Sequence, residues 1–387
     1  MIDAGELIER TREQGFGLWT GVPCSYLTPL INCAIAHPAL RWVTAANEGD
    51  AIATAAGAAL AGQRGVAIMQ NSGLGNAVNP LASLTYTLRI PVLLIVTLRG
   101  DPELRDEPQH ELMGTITERM LGELRVPCER FPREPAALGP ALERALKHMA
   151  ETSRPYAFVL RKGDVGWKGR PDANAPAGRT ATRVEPRPRD AASAAEPTRA
   201  QALRRIVAAT PEDSSAVIAT TGYTGRELAA IADRANQLYM VGSMGCASSL
   251  ALGVALARPR LRVVAIDGDG AALMRMGNFA TLGAYGGDNL VHIVLDNGVH
   301  ESTGSQPTVS RALSFAGIAA ACGYGLALEG DSLDALDELF AARAVRGPRF
   351  AALRIRPGVD PEPPRPQLGP EQVRARFAEH LRKLAAP

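Results

Sequence analysis

Short apolar runs recur along the chain, and in the longer stretches between them apolar positions return every three or four residues. The runs at 16–20, 41–44, 65–70, 91–97 and 156–160 read as buried strands, and the stretches between them as amphipathic helices. Strands that alternate with helices imply a parallel sheet, because a parallel connection needs a crossover. The pattern lapses between 169 and 197, a stretch rich in Pro, Arg and Ala that reads as an extended interdomain linker. It resumes with candidate strands at 215–219, 237–241, 261–266, 289–295 and 350–355. A Pro-rich stretch, 357–366, and a helix-like segment, 371–384, close the chain. The expected architecture is two α/β domains, 1–168 and 198–387, each a doubly wound parallel sheet.

Composition narrows the function more than the fold. A chain of 387 residues, 46% hydrophobic and 21% charged, has the make-up of an ordinary globular protein. Its net charge of +2 gives no strong field toward nucleic acid or an anionic membrane, so a small-molecule function is expected. The five cysteines are scattered without a C-x-x-C pair, which argues against a disulfide framework and a zinc site. Residues 1–10 are acidic and helically spaced where a signal peptide would be basic and then apolar. No apolar run approaches about 18 residues, and a cytoplasmic location is expected.

Candidate chemistry gathers where strands end. Gly268-Asp269-Gly270-Ala271 follows one predicted strand, and about thirty positions later Asp296-Asn297-Gly298 ends another. Either segment alone is ordinary turn chemistry. Together, a carboxylate and an amide at two strand ends can converge on a hard cation that also holds a phosphate, with the Val299 carbonyl as a third ligand. Gly242-Ser243-Met244-Gly245 leads into an apolar helix near Ala247, a turn whose N–H groups attract phosphate. Its spacing departs from G-x-G-x-x-G, which leaves a dinucleotide as the weaker alternative. In the first half, Asn47-Glu48-Gly49-Asp50 reads either as a helix cap or as a functional glutamate. The turn Gln70-Asn71-Ser72-Gly73 reads either as a tight turn or as a ligand lining.

Gly-Asp-Gly followed by just under thirty residues and a metal-binding Asn resembles the thiamine-diphosphate enzymes, with Asp296 where that family's first Asn stands. The resemblance implies that Asp269, Asn297 and the Val299 carbonyl hold Mg2+. It also places Met244 beneath a bent thiamine diphosphate and the Asn71–Gly73 turn beside it. Glu48, on a pyrimidine-binding domain, would share a proton with the pyrimidine ring and so activate the thiazolium for attack on a 2-keto acid. Further segments resemble the phosphonopyruvate-decarboxylase branch of that family. They are Gly21-Val22-Pro23-Cys24-Ser25, Arg99-Gly100-Asp101-Pro102, Asp106-Glu107-Pro108-Gln109-His110, His300-Glu301-Ser302-Thr303-Gly304 and Gln306-Pro307-Thr308. This match spans nearly the whole chain apart from linker and tail.

The resemblance implies a pyrimidine-binding and a diphosphate-binding domain with no middle domain, and a homo-oligomer, at least a dimer, with shared active sites. It implies loss of CO2 from 3-phosphonopyruvate to give phosphonoacetaldehyde, within phosphonate biosynthesis, antibiotic or otherwise. A phosphonate needs cationic donors, and Arg99, Arg105, His110 and Lys162 are the candidates, with Ser25 beside them. Ser25, His110 and His300 are candidate proton-handling groups. His292 reads as buried structure, and His37, His148 and His380 as helix-surface residues without a catalytic role. Cys24 stands where many relatives carry Asp. The alternatives are a sulfopyruvate decarboxylase, a carboligase and a non-catalytic regulatory subunit, the last opposed by retention of Glu48 with Asp269 and Asn297.

Overall fold

The computed structural model describes residues 1–169, 183–185, 196–359 and 362–384. The chain divides into two compact units, Met1–Ala175 and Pro176–Pro387. Strands of three residues or more are numbered β1 to β13 along the chain. In the first unit these are β1 (Phe16–Gly21), β2 (Arg41–Thr44), β3 (Arg64–Met69), β4 (Leu93–Thr97), β5 (Cys128–Arg130) and β6 (Tyr156–Leu160). They form one all-parallel sheet in the order β2-β1-β3-β4-β6-β5.

The second unit holds β7 (Arg183–Glu185), β8 (Ser215–Ala219), β9 (Gln237–Tyr239), β10 (Arg262–Gly268), β11 (Leu290–Asp296), β12 (Leu326–Gly330) and β13 (Arg349–Arg354). Their order is β9-β8-β10-β11-β13-β12-β7, again all parallel. The first six of these repeat the winding of the first unit, a symmetry the sequence does not display.

Both α/β sheets follow from the apolar runs, since β4, β6 and β8 are buried at every position, as strands covered on both faces must be. Three strands run against the expectation. β5 and β12, each last across the shared six-strand order, lie where the sequence predicts no strand, and β7 lies inside the expected linker 169–197. β7 pairs in parallel with Leu326–Leu328, so that piece is a sheet edge, while most of the remaining linker lies outside the described residues. The expected tail helix is present as Pro370–Lys383.

Two helices set the positions that matter later. Glu48–Leu60 starts at Asn47, whose side chain accepts from Gly49 N at 2.8 Å, so the capping role read from the sequence holds. Its alanines let it lie directly on β3, where a Cβ on Gly65 would come within 2.8 Å of the Ala55 backbone. Ala247–Ala257 is likewise small and apolar, and is buried along most of its length. Among the described residues no helix is long and apolar enough to cross a membrane.

Candidate active site

In each parallel sheet the strand order reverses beside the first strand of the winding, and the loops leaving the carboxyl ends at that point form a crevice. In the first unit the loops follow β1 and β3. Cys24, on the first, is buried and donates from Sγ to Gln70 Oε1 on the second at 3.2 Å.

Glu48 stands at the first turn of its helix and is buried. Asn76 Nδ2 donates to its Oε2 at 2.8 Å. Its other oxygen rests on Gly73, where a Cβ would come within 2.0 Å of Oε1, so only glycine leaves room for the carboxylate. Asn71 is fully buried, and its Nδ2 donates to the Arg99 carbonyl at 2.8 Å and to Thr117 Oγ1 at 3.0 Å. With both amide protons used internally, Asn71 holds the loop that carries Arg99 instead of presenting its NH2 to a ligand.

A cavity of ≈680 Å³ in the same unit is lined by Ser25, Tyr26, Arg99, Arg105, Asp106 and Lys162, among others. Three of the cations predicted to bind substrate thus share one cavity. Arg105 and Lys162 are exposed there, and Arg99 is largely buried. Asp106 grips Arg99 from one side, with Nε donating at 2.7 Å and Nη2 at 2.5 Å. It also accepts from Tyr26 OH at 3.2 Å, Gly100 N at 2.9 Å and Glu107 N at 2.8 Å. The guanidinium sits over the Tyr26 ring, 4.6 Å from its centroid. Nη1 stays directed toward Ser25 Oγ at 3.3 Å. Arg99 is therefore a clamped donor, not a solvated loop charge.

Hydrogen bonds from Arg99 hold the Asp106 carboxyl well below the usual carboxylate range. Its pKa is lowered on folding, so its contribution to stability is complete above the unfolded value of about 3.9 and is lost as pH falls below that. Asp106→Asn should cost about 2 kcal/mol at neutral pH by removing the charged partner of a partly buried guanidinium. Urea midpoints should show that gap constant from about pH 5 to 8 and shrinking below about pH 4.

His110, the fourth predicted substrate ligand, is not on the cavity lining. It is buried at the start of helix Glu111–Glu123, and its Nδ1 has no hydrogen-bond partner among the described residues.

In the second unit a compact cavity of ≈70 Å³ sits at the carboxyl ends of β8, β10 and β11. It gathers Met244, Gly268, Asp269, Gly270, Ala271, Asn297, Val299 and His300, all predicted from the sequence. Gly242, Ser243 and Gly245 form the turn around Met244 but are not on the lining. His300 and Met244 close over Gly270, where a Cβ would meet His300 Cε1 at 2.4 Å and Met244 Cε at 3.1 Å. Asp269 is 2% exposed and accepts from Thr308 Oγ1 at 2.5 Å. Asp296, the departure from the family pattern, instead accepts from Gly298 N at 3.0 Å and Ser310 Oγ at 2.8 Å and shapes the loop.

Several site residues escaped the sequence reading. Thr220, Thr221 and Gly222 follow β8 into the cavity, and the turn after that strand was the available signal. Thr308 lay in the quoted Gln306-Pro307-Thr308 segment without a role. Arg199 had no signal, because its partners are remote in sequence. It is buried, with Nη1 donating to Glu227 Oε1 at 2.8 Å and Nη2 to Glu301 Oε2. Burial pushes the Glu227 carboxyl up against the pull of Arg199. His292 is core structure as read, its ring between Tyr324 OH and Asp267 Oδ2, each at 3.2 Å.

Residues 4–119 match the thiamine pyrophosphate enzyme N-terminal TPP binding domain, and residues 221–353 match the C-terminal TPP binding domain. A phosphonopyruvate decarboxylase of Streptomyces viridochromogenes is 47% identical over 379 residues, 97% of this chain and 94% of that one. The chain belongs to the phosphonopyruvate decarboxylase family. A second member, from Streptomyces hygroscopicus, is 45% identical over 383 residues, covering 98% of this chain and 94% of its own. The fold is shared with the benzoylformate decarboxylase of Polynucleobacter necessarius, with a TM-score of 0.73 at 12% identity over 93% of this chain and 100% of that one. The protein is thus an enzyme of the thiamine pyrophosphate-dependent decarboxylase class, with N- and C-terminal TPP enzyme domains.

The residues present suit such a cofactor with a divalent cation. Asp269 is a buried carboxylate with no Lys or Arg ion pair among the described residues. Burial raises its pKa, and the nearby charge of Asp296 raises it further. A bound cation would supply the missing positive charge. The candidate donors are oxygens of a carboxylate, an amide and the Val299 carbonyl, a hard set that would suit Mg2+. Among the described residues no three His, Cys, Asp or Glu side chains converge as a metal cluster, so such an ion would draw its other ligands from phosphate and water.

Proposed function

We propose that the protein converts 3-phosphonopyruvate to phosphonoacetaldehyde and CO2, using thiamine diphosphate and Mg2+. The observation that supports this substrate best is the cavity in which Ser25, Arg99, Arg105 and Lys162 meet. A phosphonate brings up to two negative charges beyond the carboxylate of a 2-keto acid. Although Asp106 and Glu107 also line the cavity, Arg105 and Lys162 have no carboxylate partner among the described residues and are left to meet that charge. The names of the two Streptomyces relatives point the same way.

Thiamine diphosphate, when bound, supplies the electron sink for the charge left behind by departing CO2. Glu48, kept in place by Asn76 and Gly73, would exchange a proton with the pyrimidine of the bound cofactor. Arg99, fixed by Asp106, presents Nη1 beside Ser25 to the phosphonate, and Arg105 and Lys162 complete the charge match. Asp269, Asn297 and the Val299 carbonyl would hold the cation, and Met244 would support the cofactor. His300 on the second unit, with His110 and Ser25 on the first, are the groups through which protons move. The working form is a homo-oligomer, at least a dimer, with shared active sites. Loss of CO2, which is irreversible, suits a step of phosphonate biosynthesis in the cytoplasm.

A CO2-release assay with phosphonopyruvate, sulfopyruvate and pyruvate, each with and without thiamine diphosphate and Mg2+, tests the reading. Preference for sulfopyruvate would overturn the substrate assignment, activity without thiamine diphosphate the chemistry, and release from none of the three the enzymatic reading. Arg99→Met should raise KM for phosphonopyruvate by about 10- to 100-fold, with a far smaller effect on pyruvate, through loss of a charged hydrogen bond.

A further inference from the structure

Glu301 directly follows His300 and puts a carboxylate beside the amide of Asn297. Asn297 Nδ2 donates to Glu301 Oε2 at 3.2 Å, and Val299 N donates to Asn297 Oδ1 at 3.2 Å. An ionised carboxylate only accepts hydrogen bonds, so it can face the NH2 end of the amide and not the carbonyl end. Glu301 is itself held on both oxygens. Oε2 accepts from Arg199 Nη2, and Oε1 accepts from Gly358 N in the segment that follows β13. Arg199 in turn is held by Glu227.

We propose that Glu301 is a positioning residue that selects the orientation of the Asn297 amide, so that Oδ1 and not NH2 faces a divalent cation. Val299 N uses one lone pair of Oδ1, and the second is left for the ion. A reversed amide would turn two N–H bonds toward a cation and offer it no ligand. Groups that orient a metal ligand in this way commonly change metal affinity by about 10- to 100-fold when altered. The inference rests on Asp269 and Asn297 being metal ligands.

The test is Mn2+ binding to the full chain with thiamine diphosphate present, followed by electron paramagnetic resonance. It uses wild type, Glu301→Gln, Asn297→Asp and the double variant. Glu301→Gln offers both an acceptor and a donor, lets the amide turn, and should weaken Mn2+ by about 10- to 100-fold. Asp at 297 has no end to select, so in that background Glu301→Gln should leave Mn2+ affinity unchanged or weaken it by far less, through the lost negative charge alone. Equal weakening in both backgrounds would show that Glu301 acts only through charge or folding, and would overturn the proposal. If the Gln variant does not fold, Glu301→Asp keeps the charge but draws the carboxylate away from Asn297. It should show the same loss, and unchanged affinity would overturn the proposal. Wild-type affinity that survives Asp269→Ala would instead remove the metal-site reading underneath.

Discussion

Glu48→Gln is expected to reduce turnover by about 10²- to 10⁴-fold with little change in fold or cofactor affinity, the range that one positioned proton-transfer group contributes. The substitution keeps the size of the side chain, and the oxygen that Asn76 Nδ2 now reaches at 2.8 Å can remain an amide carbonyl. What it removes is the ability of the atom resting on Gly73 to take and return a proton. Packing there is tight enough that a Cβ on Gly73 would come within 2.0 Å of Oε1. Gly73→Ala should therefore reproduce much of the loss by displacing a chemically intact glutamate. Single-turnover CO2 release on both variants, with thermal melts as a control for folding, checks the pair. Turnover near wild type in Glu48→Gln would sink the proposed role of the glutamate.

Asp269→Ala is expected to abolish the stabilisation that Mg2+ and thiamine diphosphate bring, and activity with it. A ligand at a hundredfold excess over its Kd stabilises a folded protein by about 2.7 kcal/mol, which a melting experiment resolves readily. Asp269 is the one carboxylate in the proposed ligand set, so its removal leaves an amide and a carbonyl, too weak a set to hold a hard dication. The cofactor-free variant should melt no lower than wild type, because the lost carboxylate is buried without a cationic partner among the described residues. A melting rise with Mg2+ and thiamine diphosphate equal to that of wild type would refute the assignment.

The parts of the fold that could be read from sequence are those whose residues decide their own conformation. β6 and β8 are uninterrupted apolar runs, and their bounds emerge from the sequence as the structure has them. β5 and β12 occupy equivalent places in the two sheets, and both escaped. β5 is three residues, Cys128, Glu129 and Arg130, none fully buried, and it is a strand because β6 offers it an edge. β12 mixes Leu and Ala with Glu329 and Gly330, a composition that suits a helix or a loop equally well. β7 lies in a Pro- and Arg-rich stretch where only a partner strand could have revealed it.

The candidate site divides along the same line. Gly-Asp-Gly, Glu48 and the cluster of cations could be found because their chemistry is in the residue type. The grip of Asp106 on Arg99 and the chain from Arg199 through Glu301 to Asn297 could not, since each depends on which side chains three-dimensional packing brings within hydrogen-bond reach. Asn71 shows the reverse case. It stands in a turn that suits a ligand, and only its burial reveals that its amide protons serve the backbone of Arg99 and the hydroxyl of Thr117.

The pairing of Arg183–Glu185 with Leu326–Leu328 limits how this gene could be divided into two polypeptides. A break after Glu185 would strip the outermost strand from the second product and uncover the backbone N–H and C=O groups of β12, an open template for pairing with other chains. A break before Arg183 would leave that edge covered. The tolerated place for a split, or for the insertion of another domain, thus lies on the early side of β7, and the two designs should differ in aggregation before they differ in catalysis.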